Sequence, residues 1–364
     1  MSKLKVALIF GGRSGEHEVS RNSAYTVAQS LKQNYDVFPM GIAKGGQWYG
    51  PIPIAEIPTF TPEKFSEYKV TVLPHPAANG TIYSLPNLKP LTKAEVFFPV
   101  LHGTFGEDGT IQGLFELAQV PYVGAGVLAS SAGMDKVIMK NLFAQAGLPQ
   151  VPFLSFLRQE IEKNSQAILE KIETNLGYPC FVKPANLGSS VGISKVSNRE
   201  QLKTALFTAA RYDRKIIIEK GVEAREFEIS VLGNNEPLVS LPGEIVPGNE
   251  FYDYHAKYIN DNSTLYIPAR LEDEQIKEMQ KLALKAFKAI DCSGLSRVDF
   301  FITKDTQEIL VNEINTLPGF TSISMYPKLW EYSGIPLEEL TSRLVRLALD
   351  HFKEKNKNVT SYEL

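Results

Sequence analysis

Two carboxylates and one amide near the end of the chain have the types and spacing of a site for a hard cation. Arg297-Val298-Asp299 lies in one apolar run and Glu313-Ile314-Asn315 in the next, and side chains two apart on a strand share a face. If the two runs pair through the turn at Lys304–Glu308, then Asp299, Glu313 and Asn315 converge. Oxygen donors of this kind suit Mg²⁺, which keeps water and bridges substrate phosphates. The competing reading is a salt-bridge ladder built on Arg297. It leaves Asn315 and the abrupt loop from Thr316 to Ser322 unexplained.

A second candidate is the loop Gly188-Ser189-Ser190-Val191-Gly192, where small residues between glycines would let backbone amides wrap phosphate oxygens. Lys183 ends the strand before it and could add a positive charge. No G-K-[ST] follows, so this is not a Walker A loop; a plain Gly-Ser hairpin connection is the alternative. Near the N-terminus Gly11-Gly12-Arg13-Ser14-Gly15 follows a strand but lacks the G-x-G-x-x-G spacing of a dinucleotide site. It reads as a tight turn, after which Glu16 and Glu18 are placed to hold a ligand ammonium at the strand ends. His102 reads as a structural hydrogen-bonder, and no Ser-His-Asp or Cys-His arrangement can be inferred.

The elements that must position these residues follow from the apolar patterning. Val6–Phe10 is a buried parallel strand, a helix starts near Ser20, and Asp36–Ile42 and Glu95–Leu101 are further strands, giving an open α/β unit. Residues 44–93, rich in proline, are an insertion of short strands and loops. Asp135–Ala146 and Ser165–Leu176 read as helices. Cys180–Lys183 and Gly192–Val196 flank the Gly-Ser loop, Ser197 and Glu200 form a capping box, and Lys215–Glu219 is a strand. Glu226–Leu232 and Pro237–Leu241 flank the turn Gly233-Asn234-Asn235 as a hairpin. The polar and aromatic stretch 246–262 is a lid or binding loop. Ile276, Met279, Leu282, Ala283, Ala286, Phe287 and Ile290 mark one helix face, and a last helix opens at Pro336.

The 364 residues call for two or three domains. With 38 Lys plus Arg against 41 Asp plus Glu, the charge argues against a nucleic-acid binder. Cys180 and Cys292 are too few for a disulfide framework. The N-terminal apolar run is too short for a signal peptide and no stretch reads as a membrane span, so a cytoplasmic protein is expected.

Taken together and in order, Gly11-Gly12-Arg13-Ser14-Gly15-Glu16-His17-Glu18-Val19-Ser20, Leu101-His102-Gly103, Gly106-Glu107-Asp108-Gly109, Met134-Asp135-Lys136, the Gly188–Gly192 loop, Tyr252-Asp253-Tyr254 with Lys257-Tyr258, Arg297-Val298-Asp299 and Glu313-Ile314-Asn315-Thr316 resemble the D-alanine–D-alanine ligase family of the ATP-grasp superfamily. The resemblance covers almost the whole chain. It implies a three-domain ATP-grasp architecture, α/β and α+β, with a Rossmann-like open sheet in 1–134, a central part in 135–220 and a C-terminal part in 221–364. It also implies ATP-dependent joining of two D-alanines through an acyl phosphate, for peptidoglycan precursors, and a homodimer.

By the same resemblance Glu219 and Glu226 would contact adenine and ribose, and Lys136, Lys183, Ser190 and Lys257 the phosphates. Asp299, Glu313 and Asn315 would hold two Mg²⁺ or Mn²⁺ ions. Glu16 would take the ammonium of the first D-alanine and be linked through Ser189 to Tyr258, while Ser324 and the backbone at Met325 would take the carboxylate of the second. Arg297 and the Gly319 N–H suit the oxyanion. Other ATP-grasp carboxylate–amine ligases and D-alanyl-D-lactate formation are the alternatives, and Tyr258 matches the dipeptide-forming pattern. Tyr258→Phe is therefore expected to keep ATP binding and to shift the ratio of D-alanine to D-lactate used as second substrate, as measured by product analysis.

Overall fold

In a computed structural model of the chain, residues 3–188, 191–246 and 264–359 are described. Strand Lys5–Gly11 runs parallel between Asp36–Ile42 and Val96–Val100, and its apolar side chains are fully buried. The stretch 44–93 is a continuation of that sheet. Trp48–Tyr49, Lys69–Val72, Thr81–Ser84 and Lys89–Lys93 add to it one after another, each antiparallel to the last. The sheet is thus mixed, and only the three strands at one end of it, Asp36–Ile42, Lys5–Gly11 and Val96–Val100, have the Rossmann-like parallel arrangement.

The first helix, His17–Leu31, begins three residues before the expected start. Ser20 belongs to its first turns: the hydroxyl accepts from Gly11 N at 2.7 Å and donates to the carbonyl of Val100. Two strand ends are thereby tied to one helix turn. Glu16 is left at the helix entrance, directly beyond the parallel strands.

The second sheet is antiparallel, in the order Ser194–Val196, Cys180–Pro184, Lys215–Lys220, Phe153–Leu157. Its helix Arg158–Asn175 is longer than the patterning indicates because it continues across a break at Asn164. The next helix, Arg199–Ala209, is capped one residue later than expected. Asn198, rather than Ser197, accepts from Gln201 N at 3.0 Å, and Gln201 Oε1 accepts from Ser197 N at 2.8 Å. Asn and Ser cap equally well, so adjacent candidates are separated only by where the backbone turns.

The third sheet, also antiparallel, runs Thr264–Tyr266, Gly243–Val246, Ala224–Gly233, Gly294–Thr303, Ile309–Asn315, with Leu238–Val239 hairpinned onto Ala224–Gly233. Helix Asp273–Ala289 buries Met279, Leu282, Ala283, Ala286 and Phe287 against it. The hydrophobic cores cut across the borders read from sequence. Helices Val127–Met134 and Lys136–Gln145 pack, through Ala129, Ala132, Met139 and Phe143, into the core of the third sheet. Helix Leu337–Lys355 instead joins the core of the first sheet through Leu340, Leu344 and Val345, and Thr341 bonds Ser30 at 2.7 Å.

Gly11 has φ of 89°, and a Cβ placed there would overlap the carbonyl of Ile42. Both features favour glycine. Gly11→Ala is expected to cost about 2–3 kcal/mol, measurable by denaturant unfolding.

Candidate active site

Three strands of the third sheet lie in register, so their side chains form rows on one face. Glu228 pairs with Asp299 and Asp299 with Glu313; one step along, Ser230 pairs with Arg297 and Arg297 with Asn315. Arg297 grips Asp299 through Nε and Nη2, both at 2.7 Å, and reaches Glu228 Oε2 at 2.9 Å. Burial opposes its charge, but Asp299 and Glu228 hold the guanidinium well above its ordinary range. Asn315 Nδ2 donates to Asp299 at 3.0 Å. A register shift follows Asp299, so the pairing changes just beyond the row that matters.

Lysines from the second sheet and from helix Lys136–Gln145 face this row. Strand pairing sets Lys183 diagonal to Glu219, with Nζ 2.5 Å from Glu219 Oε2, while Lys140 Nζ lies 3.2 Å from Oε1. Lys140 is only 1% exposed. Burial works to raise the Glu219 carboxyl, but Lys140 and Lys183 outweigh it and bring it down to about 2. Burial pulls Lys140 itself below its ordinary value. Lys136 opens helix Lys136–Gln145 at the point where Asp135 caps it, accepting from Val137 N and Ile138 N at 3.1 Å. Its Nζ donates to Leu187 O at 3.0 Å and stands 3.8 Å from Glu313 Oε2.

The first sheet supplies the third wall. Glu16 is buried beside Gly103 and Gly188; a Cβ at those positions would lie 2.7 and 3.1 Å from Glu16 Oε2. His102 bonds Leu317 O through Nδ1 at 3.1 Å, and burial keeps it below its ordinary value, hence neutral. Burial, reinforced by nearby Glu16, pushes Glu107 up to about 8. Gly319 approaches Ser324 so closely that a Cβ would sit 2.8 Å from its Oγ, and Ser324 opens helix Met325–Tyr332, whose N-terminus suits a carboxylate.

A cleft of about 680 Å³ lies between the three sheets. The family models for the N-terminal and C-terminal parts of D-ala D-ala ligase match residues 5–125 and 142–346. The D-alanine–D-alanine ligase of Heliobacterium modesticaldum is 53% identical over 99% of this chain and 98% of its own; that of Natranaerobius thermophilus is 48% identical over 100% and 99%. The chain belongs to the D-alanine–D-alanine ligase family. Among solved structures, the D-alanine-D-alanine ligase from Coxiella burnetii has a TM-score of 0.86 at 35% identity, covering 98% of this chain and 97% of its own. The VanG D-Ala:D-Ser ligase from Enterococcus faecalis has the same TM-score at 38% identity, covering 95% and 100%.

In this ligase the cleft is lined by Glu16, Lys136, Lys183, Glu219, Glu226, Arg297, Glu313, Asn315, Gly319, Ser324 and Met325. Asp299 lies just behind Arg297, buried. Ser189, Ser190, Lys257 and Tyr258 lie outside the described residues. Two charged residues escaped the sequence reading. Glu228 shares the period-2 face with Glu226 and could have been found from that spacing; Lys140 carries no such signal, because it sits in an ordinary helical pattern.

For a metal, the donor set of this ligase fits an open site. Among the described residues no group of three or more His, Cys, Asp or Glu is gathered that could hold an ion by itself. Glu313 and Asn315 line the cleft and offer hard oxygen donors that suit Mg²⁺ when phosphate oxygens and water complete the shell; Asp299, the cross-strand partner of Glu313, can join them through carboxylate lone pairs beyond those that Arg297 and Asn315 occupy.

The shared Glu219 gives a test in solution. Its folded value of about 2 lies below the ordinary 4.5, so its stabilisation is present above about pH 4.5 and is lost as pH falls towards 2. Lys140→Met should lower the melting temperature at pH 7 and make the acid loss between pH 4.5 and 2 shallower, both read by thermal unfolding across pH.

Proposed function

We propose that this chain is an ATP-dependent, ADP-forming ligase that joins two D-alanines into D-alanyl-D-alanine for peptidoglycan precursors in the cytoplasm. The observation that carries the reading is the convergence on one cleft of a buried acid for an ammonium, lysines for phosphates and a row of hard oxygen donors. No helix among the described residues is long and apolar enough to cross a membrane.

A carboxylate is a poor electrophile at pH 7, so ATP first converts the first D-alanine to an acyl phosphate. Glu16 holds that D-alanine by its ammonium. Lys136 and Lys183 offset charge on the transferred phosphoryl group, and Glu219 and Glu226 contact adenine and ribose. Asp299, Glu313 and Asn315 would hold two Mg²⁺ or Mn²⁺ ions, which supply further charge neutralisation at the phosphates. The second D-alanine is oriented by its carboxylate at Ser324 and the backbone of Met325; its amine, after losing a proton to solvent, attacks the acyl carbon. Arg297 and the Gly319 N–H then stabilise the oxyanion. Collapse of the tetrahedral species breaks the acyl C–O bond and releases inorganic phosphate. Ser190 and Lys257 are assigned to the phosphates, and Ser189 with Tyr258 to the link with Glu16, on the family resemblance of their motifs.

Ligases named for D-Ala and for D-Ser have equal TM-scores to this chain, which supports placing the choice of second substrate in the side chains at that subsite rather than in the fold. With ATP and Mg²⁺, purified protein should release ADP in a D-alanine-dependent way, with D-alanyl-D-alanine as the main product when D-serine and D-lactate compete at neutral pH. Glu313→Gln should lower turnover at least about a hundredfold. ADP release without any dipeptide, or wild-type turnover in Glu313→Gln, would overturn the corresponding assignment.

A further inference from the structure

The segment that carries Gly319 is held from outside its own sheet. Leu317 N donates to Glu107 Oε1 at 3.2 Å, Leu317 O accepts from His102 Nδ1 at 3.1 Å, and Phe320 N donates to Ser23 Oγ at 3.1 Å. A backbone carbonyl can only accept, so His102 carries its proton on Nδ1. The neutral ring then accepts at Nε2, and the donor 3.0 Å away is the Ser23 hydroxyl. That leaves the hydroxyl lone pairs for Phe320 N. The proton arrangement is therefore single-valued: Phe320 N–H to Ser23, Ser23 O–H to His102, His102 N–H to Leu317.

Glu107 closes the set from the other side, its second oxygen accepting from Gly103 N at 2.7 Å. Ser23 and His102 are buried, and Phe320 stands edge-on to Phe98 at 6.4 Å, so the grip has little room to slip. The pinned groups bracket Pro318, which has no N–H, and Gly319. None of these three contacts uses the Gly319 N–H.

We propose that Ser23, His102 and Glu107 are positioning residues for the joining step, fixing the backbone at Leu317 and Phe320 so that the Gly319 N–H stays aimed at the developing oxyanion. The proposal rests on the oxyanion role given to Gly319 above. Physically, a donor helps only if it is already in place when charge develops, and a misplacement of about 1 Å can cost about a hundredfold. The clamp comes from the first sheet and its helix, and the donor it places serves chemistry on the third.

The test uses the full chain as wild type, Ser23→Ala and Glu107→Gln. Glutamine keeps the shape of Glu107 but must turn an NH2, which cannot accept, towards one of the two N–H groups that the carboxyl oxygens receive. Turnover and KM for each substrate are read from ADP release with dipeptide identification, binding from the Kd of a non-hydrolysable ATP analogue, and folding from thermal unfolding. Both variants should lose about tenfold or more in kcat while KM for ATP and the analogue Kd stay within about twofold. Wild-type kcat in both variants sinks the proposal, as does a kcat loss matched by an equal loss of analogue binding, which would mark a merely structural role. If Ser23→Ala does not fold, Glu107→Gln decides alone. A wild type that makes no D-alanyl-D-alanine would instead refute the functional reading itself.

Discussion

Like charges set side by side on a sheet repel, and the third sheet sets three carboxylates in one cross-strand row, Glu228, Asp299 and Glu313. Neighbouring strands are about 4.8 Å apart, where uncompensated acids are costly. Arg297, one step along the central strand, takes up Glu228 and Asp299. Lys136 comes within 3.8 Å of Glu313 from another element, and the rest of the site follows from bringing cations to this row. The Asp135 cap fixes the helix start that carries Lys136, and Lys215, 2.5 Å from Asp135, ties that cap to the second sheet.

The second sheet meets the opposite problem, one buried acid shared by two lysines. A carboxylate held by Lys140 and Lys183 can give up one partner and stay compensated. Lys183 lines the cleft, whereas Lys140 does not. The cleft-facing member of the pair is thus the one assigned above to a phosphate, and the fully buried one is the standing counter-charge.

Much of this was legible because strand chemistry repeats every two residues. The pairing of Arg297-Val298-Asp299 with Glu313-Ile314-Asn315 follows from alternation and a short turn, and the observed register places those residues opposite one another. Strand Phe153–Leu157 was not read, since Phe-Leu-Ser-Phe-Leu is short and has no apolar–polar alternation. Lys140 and Ser23 were not read either, because sequence does not say which polar residue of a helix turns inward when its partner, such as Glu219 or Phe320, lies in a distant part of the chain. Stretch 44–93 looked like an appendage because its prolines and short runs hide the antiparallel pairing that adds it to the first sheet.

The buried apolar residues of the second sheet and its helices form a core drawn only from positions 154–218. By contrast, the first sheet shares its core with the chain's last helix, and the third sheet shares its own with residues 125–148. What fastens the second sheet to its surroundings is a small apolar patch of Val137, Ala185 and Ile217, with ionic contacts such as Lys215 to Asp135. Contacts of that kind rearrange at far lower cost than a close-packed interior. The second sheet is therefore the part whose tilt costs least to change, set against a stiffer frame in which the first and third sheets share buried residues such as Leu232, Leu295 and Leu317.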